Sequence, residues 1–174
     1  YAAQQLEGQR ASHTLSRVYL ALTEGHWSNQ SKSGLINRPI EKVPDCFNRY
    51  QVSDTGRPSR TEYEVLSEFT YEETPFSLVR LKLQTGRTHQ IRVHMASLSH
   101  PLLGDSIYGH EGFLGFDRAA LHSFEITCQL PGHQDLAVFS SEMPEDFQKS
   151  GSTENLTDEK ADITNEVQDN SESQ

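Results

Sequence analysis

The stretch Thr61 to Gln84, "TEYEVLSEFTYEETPFSLVRLKLQ", limits the possible folds more than any other. "TEYEVLSEF" and "FSLVRLKLQ" each alternate apolar with polar residues, the two-residue period of a half-buried strand. The polar "TYEETP" between them reads as a turn, so the two strands form an antiparallel pair. "RVYLALTEG" alternates in the same way, with Val18, Leu20 and Leu22 on one side and Tyr19, Ala21 and Thr23 on the other, and Gly25 closes it.

Shorter signals fill in the rest. "GLINRPIEK" is extended, with Pro39 marking an edge or turn. Residues 44–60, with Pro44, Asp54, Gly56 and Pro58, read as loop. Thr85-Gly86 ends the second hairpin strand, and Ile91, Met95 and Leu98 then recur at helical spacing, which predicts a short amphipathic helix from Thr88 to about Leu98. "ALHSFEITCQL" returns to strand and "LAVFS" is a last edge strand. The opening "YAAQQLEGQRASHTLS" reads as a short helix that lacks its beginning.

Composition divides the chain into two domains. Of the formal net charge of −10, the segment 141–174 carries −8 and residues 1–140 only −2. Beyond Phe147 the residues are almost all polar, and mean hydropathy over the chain is −0.67. Such a segment buries too little to offset its chain entropy, so 1–147 is expected to be the folded domain and 148–174 a disordered acidic tail. The folded part is then nearly neutral with local basic clusters, and nucleic acid is not excluded as a partner. Cys46 and Cys128 are too few and too far apart for a metal knuckle or a disulfide framework and read as reduced, buried or half-buried thiols. No apolar run approaches the length of a membrane span.

Chemistry concentrates in "QTGRTHQIRVHMASLSHPLLGDSIYG", Gln84 to Gly109. His89 and His94 stand about 140° apart on a helix, and Arg92 lies between them, so no metal pair forms. No phosphate loop of the Walker type and no serine elbow is present. His89 and Arg92, three apart, share the face opposite the Ile91/Met95/Leu98 stripe, and Arg87 lies just before the helix. Guanidinium groups, Gln90 and backbone amides thus converge where an RNA backbone or a carboxylate could be held through paired hydrogen bonds. Ordinary surface ion pairing by Arg87 and Arg92 is the competing reading.

The same stretch resembles the signature of the RluA-type pseudouridine synthases. That pattern, Gly-Arg-x-His-Gln-Ile/Leu-Arg-x-His followed by His-Pro-x-x-Gly-Asp-x-x-Tyr, is matched by Gly86, Arg87, His89, Gln90, Ile91, Arg92 and His94, then His100, Pro101, Gly104, Asp105 and Tyr108. "RVYLALTEG", "GRPSRTEYEV" and "RAALHSFEI" agree with weaker family stretches in order and spacing, so the resemblance covers about residues 2–147. It implies an α+β fold, a mixed and mainly antiparallel sheet with packed helices, of which this chain is the C-terminal portion. It also implies conversion of uridine in transfer or ribosomal RNA to pseudouridine by an aspartate, with no cofactor. From the residues themselves no metal and no membrane partner are expected, and the protein is expected to be a monomer. Tyr19 would meet the target base. Arg92 would hold the aspartate ionised, and Arg87, His89 and Gln90 would meet RNA. Asp105 and Tyr108 would maintain the fold.

The family's nucleophile belongs to a His-Arg-Leu-Asp motif followed by Thr-Ser-Gly, and none of the nine aspartates here has that context. The chain is therefore expected to be part of a longer synthase, with the alternative of a catalytically dead remnant that binds RNA. Lacking its N-terminal strands, it should expose apolar edges.

Overall fold

A computed structural model describes residues 8, 9 and 14–149. The backbone divides into two units, Tyr1–Met143 and Pro144–Gln174. In the first, strands β1 (Ser16–Glu24), β2 (Ser33–Asn37), β5 (Arg60–Tyr71), β6 (Thr74–Leu83), β7 (Leu121–Gln129) and β8 (Leu136–Ser140) form one sheet in the order β2-β5-β6-β1-β7-β8. Strands β3 (Ile40–Lys42) and β4 (Tyr50–Val52) pair separately. Every pairing among the described strands is antiparallel. Helix α1 spans Gln90–Ser97, and one 3-10 turn covers Phe113–Gly115. The second unit is described only through α2, Glu145–Lys149. The acidic tail expected beyond it, and most of the expected opening helix, lie outside the described residues.

The alternation read from sequence sets the sheet's two faces. Tyr19 pairs with Leu81 and Leu81 with Tyr63, while Ala21 pairs with Val79. Side chains on this face pack with Ile36, Trp27 and Leu102 and with Ile91 and Met95 of α1, so the helix lies against the middle of the sheet. Trp27 is fully buried and stacks on His100, their ring centroids 4.0 Å apart. The β5–β6 turn is tight: Tyr71 pairs with Thr74, and Glu72 and Glu73 both take positive φ, at 47° and 64°.

Three expectations change. Residues 44–60 are not all loop: Tyr50–Val52 is a strand, too short to carry a period. Helix α1 is not simply amphipathic, because Gln90 and His94 are buried beside Ile91, Val93 and Met95. Cys46 is exposed, whereas Cys128 is buried. Exposed apolar side chains gather on the edge strand β8, where Leu136, Val138 and Phe139 are each more than half exposed. No described helix is long and apolar enough to cross a membrane.

Candidate active site

The site begins where β6 ends. Thr85 and Gly86 leave the sheet, Arg87 N–H turns back, and His89 adopts a left-handed conformation, φ 55°, as the N-cap of α1. This geometry is held by Gln90. Its Oε1 accepts from Thr85 Oγ1 at 2.8 Å and from Arg87 N–H at 3.0 Å, while its Nε2 donates to Arg60 O at 2.9 Å and Thr61 Oγ1 at 3.0 Å. All four hydrogen bonds of the amide are spent inside the protein, and the residue is buried. Gln90, expected on the RNA side, instead ties the start of α1 to the start of β5. His94 is likewise structural. Its Nδ1 lies 2.8 Å from Thr61 Oγ1 and its Nε2 2.9 Å from Arg38 O, and burial keeps it less basic than an ordinary histidine.

Arg92 projects from α1 onto the segment 100–109. Backbone bonds of that segment to β1 fix its path: Glu24 N–H donates to Pro101 O, and Leu103 N–H to Leu22 O. Gly104 then turns with φ 68°, so close to Phe116 and Arg118 that a Cβ would lie 2.6 Å from the Phe116 Cβ. This turn delivers Asp105, whose side chain is completely buried. Arg92 Nε donates to Asp105 Oδ2 at 2.7 Å and Arg92 Nη2 to Oδ1 at 2.6 Å, a two-pronged ion pair. Oδ1 also accepts the N–H groups of Ile107 and Tyr108, at 3.0 and 3.1 Å. Burial pushes the Asp105 pKa up, but the hydrogen bonds from Arg92, Ile107 and Tyr108 outweigh it and hold the carboxyl below its ordinary value. The bonds to Asp105 in turn raise that of Arg92. A carboxylate enclosed and saturated in this way is no nucleophile. Asp105 orients Arg92.

Two aromatic residues complete the cluster. The Arg92 guanidinium carbon lies 5.0 Å from the centroid of the Tyr108 ring, over its face. Arg92 Nη1 donates to His89 Nε2 at 3.1 Å, and His89 Nδ1 lies 3.0 Å from the Tyr108 hydroxyl. Tyr108 Oη also accepts Tyr50 N–H at 2.9 Å, and the Tyr50 ring meets His89 edge-on. Burial, and then the Arg92 charge, depress the His89 pKa. His89 thus reaches Arg92 from the cap position, not from a shared helix face as the spacing suggested. Three of the five Arg92 N–H groups are used, and two remain.

The other expected residues lie around this cluster. Tyr19, half-buried in the middle of β1, packs against the apolar cluster that includes Ile91, and its hydroxyl makes no hydrogen bond among the described residues. Arg87 is exposed, with Nε donating to Pro58 O at 3.3 Å. No group of three or more potential metal ligands occurs among the described residues. Sequence reasoning missed Asp105 as the partner of Arg92, and Tyr50 altogether. The signal for Asp105 was available in the motif spacing; Tyr50 belongs to no motif.

The family model for RNA pseudouridylate synthase matches residues 1–97. This chain belongs to the RNA pseudouridylate synthase family. It is 41% identical over 142 residues to an uncharacterized RNA pseudouridine synthase, YhcT, of Bacillus subtilis, covering 82% of this chain and 45% of that protein. The ribosomal large subunit pseudouridine synthase D of Escherichia coli is 33% identical over 159 residues, covering 78% of this chain and 47% of the other. Human RNA pseudouridylate synthase domain containing 1 superposes with a TM-score of 0.69 at 28% identity, over 82% of this chain and 60% of that one. The α+β fold of the family is therefore the fold seen here. The chain spans about half the length of the curated synthases it matches.

Proposed function

We propose that this chain forms the arginine-bearing half of an active site that isomerises uridine to pseudouridine in RNA. The observation that carries the reading is the Arg92–Asp105 pair. Asp105 fixes the guanidinium from one side, His89 takes a third N–H, and two are left for a second carboxylate. That second carboxylate is the reacting aspartate of a His-Arg-Leu-Asp segment, which this sequence does not contain. Held by Arg92, it stays ionised while the C–N bond between base and ribose breaks, the base turns, and the bond re-forms through carbon. Tyr19 faces the base, offsetting part of the lost stacking, roughly 1–3 kcal/mol. Arg87 and His89 border the RNA, and Gln90 acts behind them by fixing the turn.

In a protein that carries both this chain and the aspartate segment, Arg92→Lys is expected to reduce turnover at least 100-fold with RNA affinity largely retained. Lysine keeps the charge but loses the fork that holds two carboxylates. Turnover within a few-fold of wild type would refute the role of Arg92. A second reading, an RNA-binding member without turnover, is favoured by one observation: none of the nine aspartates has the nucleophile's context.

A further inference from the structure

The hydrogen bonds around His89 leave only one consistent arrangement of protons. Arg92 can only donate, so His89 Nε2, 3.1 Å from Arg92 Nη1, carries no hydrogen. The imidazole is then neutral with its proton on Nδ1, which donates to Tyr108 Oη at 3.0 Å. Tyr50 N–H donates to the same oxygen at 2.9 Å. Both lone pairs of the Tyr108 hydroxyl are thus filled from within the protein. Its own proton has no acceptor among the described residues. Tyr108 is only half-buried.

What stands beside it is positive. Arg49 precedes Tyr50, is exposed, and has no side-chain partner among the described residues. The Tyr50 N–H bond to Tyr108 Oη holds the adjoining Arg49 backbone there, and although burial pushes the Tyr108 pKa up, the charges of Arg92 and Arg49 act against that rise. Lys42, opposite Tyr50 in the β3–β4 ladder, is exposed as well. The neighbouring carboxylate of Glu41 is engaged by Thr55 Oγ1 at 2.8 Å and Gln51 Nε2 at 3.2 Å. A neutral donor and a guanidinium, each without a side-chain acceptor among the described residues, suit an oxyanion.

We propose that the Tyr108 hydroxyl and the Arg49 guanidinium together hold one phosphodiester group of the RNA strand, beside the Arg92–Asp105 pair. Tyr108 belongs to the motif that carries the family signature, whereas Arg49 lies outside it, beside the β3–β4 pair. The proposal rests on RNA being the ligand. Because Tyr108 also meets His89 and Arg92, a phosphate seated here would register the strand against the site where the base reacts.

The test is a set of single-stranded RNAs, each with one phosphodiester replaced by a neutral methylphosphonate, bound to the 174-residue chain. One linkage is expected to weaken wild type several-fold when neutralised, and Arg49→Gln should be insensitive to that linkage. Arg49→Gln should also lower the slope of log affinity against log salt by about 0.7, one phosphate contact on a single strand. Arg49→Lys should retain both the slope and part of the linkage sensitivity. Tyr108→Phe keeps the ring over Arg92, and it should lose sensitivity at the same linkage. If the variants weaken all the RNAs equally, or if a base replacement rather than a linkage reproduces the loss, the phosphate assignment is wrong and the function proposed above still stands. Wild type that binds none of the RNAs would overturn both.

Discussion

Asp105 has no exposure at all, and among the described residues Arg92 supplies the only positive group that bonds to it. Removing one partner of such a pair leaves a buried, uncompensated charge, which typically costs about 3–5 kcal/mol. Arg92→Ala is therefore expected to destabilise the chain by about that much, measured as a shift of the urea midpoint at unchanged m-value. A loss below about 1 kcal/mol would mean that the pair is solvated in solution. Buried His94 and half-buried His89 predict a pH dependence with a definite sign. His89 and His94 both have pKa values below the ordinary 6.5, chiefly through burial. The unfolded chain then binds more protons than the folded one, so stability is full above pH 6.5 and falls as pH drops toward the depressed values. Urea unfolding at pH 7.5 and pH 5.0 should show lower stability at the acid end, and His94→Gln should flatten the difference. Equal stability at both values would contradict the burial of neutral imidazoles. Sequence spacing brought His89 and Arg92 together correctly but for the wrong reason. A left-handed cap residue and a helical residue can meet as readily as two residues on one face, and no periodicity separates the cases.

Among the elements, strands were the most legible. Alternation in "RVYLALTEG", "TEYEVLSEF" and "FSLVRLKLQ" marks them as strands, and β1, β5 and β6 form there. But β1 and β6 are buried on both faces over Leu20–Thr23 and Phe76–Val79, and β5 shifts register between Val65 and Ser67. Strand β4 escaped because three residues carry no period and Pro44 and Gly56 flank it. The character of α1 was misread because a buried, fully bonded Gln90 looks polar in sequence while it behaves as core in the fold. The β5–β6 turn offers an element-scale prediction. Glu72 and Glu73 both occupy the positive-φ conformation of a two-residue hairpin loop, which Asn-Gly adopts more easily. Replacing them with Asn-Gly should stabilise the chain by about 1 kcal/mol, read as a rise in the thermal midpoint. An unchanged or lowered midpoint would show that the glutamates contribute something that the turn geometry does not reveal.

For the whole molecule, the six-stranded sheet carries Tyr19 on its middle strand β1, and α1 lies across the same face with Arg92. This explains why one short motif could disclose the family while leaving the chemistry incomplete. The motif encodes the helix and the turn that hold the guanidinium, whereas in the proposed function the reacting carboxylate would come from a segment with a different signature. Asp105 does not substitute for it: four hydrogen bonds already occupy its oxygens. The most direct measurement is digestion and mass spectrometry of a uridine-containing RNA incubated with the purified 174-residue chain, alongside a binding assay on the same RNA. The account predicts RNA binding that weakens with salt and no pseudouridine. Pseudouridine formed by this chain alone would show that one of its own residues reacts, and would contradict the assignment of Arg92 as the holder of a carboxylate from elsewhere.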